Sequence, residues 1–110
     1  MISTEARSRV FIVQDSGRFK FTKALRFGEL VPLIERDVFP DDVEERVVTV
    51  RNIMKAKLST FNPVKDFLLL AGDPIAIVIA TMVLTCVTLN IRCLKYDREN
   101  QDYYEVQLSV

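Results

Sequence analysis

The longest apolar stretch in the chain, broken by a hard turn, runs from Asp66 to Thr88, DFLLLAGDPIAIVIATMVLTCVT, and the rest is organised around it. Phe67 to Ala71 is a continuous apolar run bounded by a turn signal, which predicts a strand over 66–71 buried on both faces. Gly72 relaxes the backbone, Asp73 is a good N-cap, and Pro74 suits the first helical position. The predicted helix spans 74–88 without a charge and is apolar nearly all round, so it must be buried on more than one side. A sheet on one side and a helix or second subunit on the other would satisfy it. Ala76 and Ala80 form a small face that lets another backbone approach.

Upstream, Val10 to Val13 predicts a first strand, and Gln14 to Gly17 a turn. Arg18 to Phe21 alternates cation and aromatic, predicting a half-buried second strand with its Phe face inward. The run 30–34 contains Pro32, which fits an edge strand. Next comes a helix over about 40–58. Acidic residues at its start and Arg51, Lys55 and Lys57 near its end complement the dipole, and Val43, Val47, Val50 and Met54 form one apolar stripe. After Asn90, a strand over 91–96, a polar turn and an alternating strand over 103–110 make a C-terminal β-hairpin. The strand–helix–strand unit at 66–96 should be a right-handed crossover joining parallel strands. The expected fold is α/β: a small mixed sheet with a βαβ crossover, two main helices and a terminal hairpin, in a single domain over 1–110 with 1–8 flexible.

The central run also raises a membrane reading, since 23 residues from Phe67 to Leu89 carry one charge. Gly-Asp-Pro breaks it, leaving a helix of about 23 Å against a hydrocarbon core of about 30 Å. A buried core helix is therefore expected, with no membrane partner. The polar start gives no sign of a signal peptide. Net charge is zero, so no global attraction to nucleic acid or anionic membranes follows. Cys86 and Cys93 lie in apolar sequence and read as reduced core residues. There is no histidine, which excludes Ser-His-Asp and Cys-His catalysis and His-ligated zinc. A non-enzyme without cofactor or metal is expected. The acidic cluster Asp41, Asp42, Glu44 and Glu45 is explained by helix-terminal electrostatics.

Three groups of residues carry functional alternatives. Gly72, Asp73 and Pro74 sit where open α/β sheets bind ligands, and Glu29, Lys95 and Asp97 are candidates to face the same nucleotide or small-ligand pocket. Against this, Asp73 puts its own carboxylate at the helix start. Arg18, Lys20, Lys23 and Arg26 alternate with Phe19, Phe21 and Phe27, a pattern that suits single-stranded nucleic acid. An amphipathic strand explains the same pattern. Tyr96, Tyr103 and Tyr104, with Ala76 and Ala80, are candidates for a protein interface.

Four pieces of the chain carry a resemblance: VFIVQ (10–14), FGELVPLI (27–34), DFLLLAGDPIAI (66–77) and LKYDRENQDYYEVQL (94–108). With these the sequence resembles a family of small proteins of tailed bacteriophages and prophages, whose patterns read like DYLLLxGDPxAI and LLKWDRxxxxYxPxEI. Tyr96 stands where that pattern has Trp, and the acidic segment at 35–45 is longer. The resemblance implies a phage origin and an accessory role inside the host, and implies no activity. The expected function is binding to a host or phage protein, as a homo-oligomer in the host cytoplasm. Nucleotide binding, single-stranded nucleic-acid binding and a minor virion role are the alternatives.

Overall fold

The computed structural model describes residues 7–35 and 43–110. Five strands form one sheet: β1 (Arg9–Asp15), β2 (Glu29–Glu35), β3 (Phe67–Leu69), β4 (Asn90–Asp97) and β5 (Asp102–Ser109). Two helices, α1 (Val43–Leu58) and α2 (Pro74–Thr85), and a short 3-10 helix, Thr22–Phe27, complete it. The spatial order is β2-β1-β3-β4-β5. β1 to β4 are mutually parallel, and β5 returns antiparallel beside β4. This is the mixed α/β sheet with two main helices and a terminal hairpin that the patterning predicts.

β3 holds only three residues, each buried, and lies between β1 and β4. Its unbroken apolar run is what such a central position demands, because both faces are covered. On one face α1 and α2 close over Phe11, Val13, Leu33, Leu68, Ile91 and Cys93. On the other, Phe21 and Ala24 of the 3-10 region cover Val10, Ile12, Leu69, Leu94 and Tyr103. The crossovers through α1 and α2 advance the same way across the sheet and share a face. The crossover from β1 to β2 runs back and uses the other, as equal handedness requires.

Pro32 does mark an edge strand: β2 flanks only β1. The Lys57 ammonium donates to the Pro32 and Leu33 carbonyls at 2.9 and 3.0 Å, tying α1 to β2. In α1 the stripe Val50, Met54 and Leu58 is fully buried. Residues 36–42, which include the expected start of this helix and Asp41 and Asp42, lie outside the described residues, as do 1–6. Ser8 is held in place, its carbonyl accepting the Glu29 N–H at 2.9 Å.

Three expectations are corrected. Arg18 to Phe21 is not a strand. The chain bends at 17–19 and enters the 3-10 helix, because β1 takes β2 and β3 as its two neighbours and no pairing edge remains. Phe21 is buried, but Phe19 is 72% exposed, so there is no common Phe face. Cys86 is exposed and only Cys93 lies in the core, both as free thiols. α2 ends at Thr85, three residues short of expectation, and Cys86 is its C-cap. No helix among the described residues is long and apolar enough to cross a membrane.

Candidate functional site

The carboxyl ends of β1, β3 and β4 lie on one side of the molecule, and the order in which strands are added across the sheet reverses between β1 and β3. In open α/β sheets this switch point is where ligands settle. Here the crevice is filled from within. Gln14, 3% exposed, donates its backbone N–H to the Ala71 carbonyl at 3.2 Å. Its side-chain Oε1 accepts the Asp73 N–H at 2.6 Å. Gly72 passes so close, at φ +102°, that a Cβ there would stand 2.4 Å from the Gln14 Cβ. Asp73 Oδ1 then accepts the Ile75 N–H at 2.8 Å, capping α2, with Pro74 in the first turn. The Asp73, Ile75 and Ile77 N–H groups at this helix start, donors of the kind that hold a phosphate, are occupied by the protein's own oxygens.

Space opens beside this plug. A cleft of about 520 Å³ is lined by Phe19, Lys20, Gly72, Lys95, Tyr96 and Arg98, with Phe21, Ala71 and Tyr103 deeper in. Among the described residues, no hydrogen bond or ion pair ties down the side chains of Lys20, Lys95 or Arg98. Tyr96 and Tyr103 face each other across the β4–β5 ladder with ring centroids 5.2 Å apart, edge to face. Burial, with Tyr96 beside it, pushes the Tyr103 phenol above its ordinary range. Three cations beside exposed rings can hold a phosphate next to a flat apolar group.

The residues singled out from sequence separate in space. Lys95 joins Gly72 in the cleft. Asp97 lines a neighbouring depression with Tyr104 and is held by the Glu99 N–H at 3.0 Å and Asn100 Nδ2 at 2.6 Å. Those bonds, the Asn100 one foremost, hold its pKa below the usual carboxylate value. Glu29 does not belong with them: it pairs in register with Arg9, at the opposite end of the sheet.

Of the four cations proposed for nucleic acid, Lys20 reaches the cleft. Arg18 is exposed on the bend. Lys23 donates to the Gln101 carbonyl. Arg26 bonds Asp102 Oδ1 at 2.8 Å and the Tyr103 carbonyl at 3.0 Å, and lies 4.2 Å above the Phe27 ring. Lys23 and Arg26 therefore clamp the 3-10 helix to the hairpin.

Ala76 and Ala80 are fully buried in the core that α2 shares with α1, so the small face serves packing within the chain. What α2 presents outward is different: Ile75, Val78 and Met82 at helical spacing, 48, 56 and 66% exposed. Tyr104 and Leu108 on β5 are also about half exposed, while Tyr103 is buried. Sequence reading missed Arg98, hidden in a polar turn, and the pair Arg9–Asp66. Asp66 is 1% exposed and accepts the Arg9 N–H at 2.9 Å, Arg9 Nη2 at 2.8 Å and the Asn62 N–H at 2.8 Å. That pair joins β1 to the loop before β3 and is structural.

A family model described as phage Pam3 gp32-like protein matches residues 8–110. The chain belongs to that family and is a phage protein. No curated protein and no solved structure matches it.

Proposed function

We propose that this phage protein acts by binding and not by catalysis. It works as an accessory protein in the host cytoplasm, and its first contact is with another copy of itself. The observation that carries this reading is apolar surface the chain does not cover. On α2, once Ala76, Ile79, Ala80, Val83 and Leu84 have gone to the core, Ile75, Val78 and Met82 remain outside. On β5, Tyr104 and Leu108 stay half exposed on the same side of the sheet as the helices. Exposed apolar rows of this kind mark protein interaction surfaces. The assembled oligomer then presents its α2 rows to a host or phage protein. Light scattering after size exclusion tests the first step: at about 100 μM an oligomer is expected, and a strict monomer would contradict it.

A second reading rests on the cleft. Lys20, Lys95 and Arg98 beside Phe19 and Tyr96 suit a nucleotide or a single strand of nucleic acid. Fluorescence anisotropy with a labelled oligo-dT at low and high salt tests it. Salt-sensitive binding that Lys95→Glu and Arg98→Glu each weaken about tenfold is expected, since each removes one phosphate contact. No binding at low salt would remove this reading and leave the first intact.

A further inference from the structure

The two edges of the sheet are treated differently. The β2 edge is blunted by Pro32 at its centre, by Glu29 and Glu35 at its ends, and by Lys57 on the Pro32 and Leu33 carbonyls. These are the usual devices against edge-to-edge pairing. β5 has none of them along its second half. It pairs with β4 without a bulge from Asn90–Ser109 to Asp97–Asp102. From Val106 to Val110 it carries no charge and no proline.

The backbone of β5 defines what is open. The Val110 N–H donates to the Leu89 carbonyl, so the even-numbered residues turn their backbone groups toward β4. Those of Tyr103, Glu105, Gln107 and Ser109 point outward. At Tyr103 both groups are occupied: its N–H donates to Asp102 Oδ1 at 2.8 Å, and its carbonyl accepts Arg26 Nη2 at 3.0 Å. Among the described residues, the free edge is therefore Glu105, Gln107 and Ser109.

We propose that a second copy of this chain pairs there, β5 against β5 and antiparallel, with Gln107 opposite Gln107 on the two-fold axis. The proposal deepens the self-association reading above and rests on it. An antiparallel strand meeting its own copy is self-complementary, as a closed dimer requires. Only registers that place outward residues opposite outward residues form hydrogen bonds. Centring on Glu105 would set two carboxylates face to face, which is unfavourable. Centring on Val106 would set Ser109 opposite the Tyr103 groups that Asp102 and Arg26 already hold, and lose that pair.

Centring on Gln107 uses the three open residues and no others. Glu105 then meets Ser109 of the second copy, Val106 meets Leu108, and Tyr104 meets Val110, which is 88% exposed in the single chain. Directly opposite residues share a face, so both α2 rows emerge on the same side of a ten-stranded sheet. A contact along one strand is small for a specific interface, so this dimer dissociates on dilution.

Two variants test it, both in a Cys86→Ser background. Gln107→Pro removes an outward N–H at the centre of the contact and leaves the β4 ladder its bonds. It is expected to be folded by circular dichroism and monomeric where the parent is dimeric. Gln107→Cys sets two thiols about 5.5 Å apart between Cα atoms, within disulfide reach. Oxidised glutathione is expected to crosslink more than half of that chain, and little of a Glu105→Cys control. A parent that stays monomeric overturns both the dimer and the self-association reading. A dimeric parent whose Gln107→Cys variant does not crosslink overturns only the β5 assignment.

Discussion

The Asp73 backbone N–H donates to Gln14 Oε1 at 2.6 Å, and this contact closes the crevice at the sheet's switch point. A buried side chain from β1 thus fixes the turn between β3 and α2, and the helix start is spent on the protein's own oxygens. Open space lies to one side of it, in the cleft between Lys20, Lys95 and Arg98.

Gly72 has no room for a side chain. An alanine Cβ would lie 2.4 Å from the Gln14 Cβ on a backbone at φ +102°. Gly72→Ala is expected to cost about 2–4 kcal/mol of unfolding free energy, from steric overlap and a conformation L-residues rarely adopt. Urea denaturation measures it; a loss below about 0.5 kcal/mol would mean the turn relaxes freely.

Asp66 is buried and holds two backbone N–H groups and the Arg9 guanidinium. Asp66→Ala leaves Arg9, about a third exposed, without its carboxylate, and two N–H groups without an acceptor. A loss of about 3 kcal/mol is expected in the same denaturation experiment. Binding at the cleft should be unchanged, because the pair lies at the other end of β1.

The two thiols differ in reach. Cys86 is exposed, while burial keeps Cys93 in the core and pushes its thiol above the ordinary range. With iodoacetamide at neutral pH, one alkylation per chain at Cys86 is expected, and a second only in denaturant. Equal labelling of both in the folded protein would contradict the packing of β4 beneath α2.

Glu105 is bonded to Arg92 at 3.1 Å and to Gln107 at 2.8 Å, which lowers its folded pKa, the Arg92 bond foremost. A lowered folded value means the contribution is present above the unfolded pKa of about 4.3 and is lost as pH falls through the folded value. The pair is solvent-screened, so a few tenths of a kcal/mol are expected at neutral pH. Wild type should exceed Glu105→Gln by that amount at pH 7, and the gap should close on acidification below pH 4.3.

The central unit was legible because its signals are local: an unbroken apolar run, a capping aspartate, a proline at the first helical turn. Pro32 announced an edge for the same reason. Arg18 to Phe21 misled, since alternation alone does not say whether a sheet edge is free, and β1 had none left. The cleft was half legible. Lys95 and Gly72 were named, but Phe19 and Arg98 join them only through the bend at 17–19 and the turn after β4. Cys86 followed its apolar neighbours in sequence and not in space, because α2 ends just before it.

Amide hydrogen exchange followed by NMR at two protein concentrations tests the central claim most directly. The Tyr104, Val106, Leu108 and Val110 amides face β4 and should be protected at both. The Glu105, Gln107 and Ser109 amides should be protected at about 500 μM and lose that protection near 5 μM, as a strand-edge dimer dissociates. Rapid exchange of those three at both concentrations, with their neighbours protected, would show an edge that meets only solvent and would contradict the account.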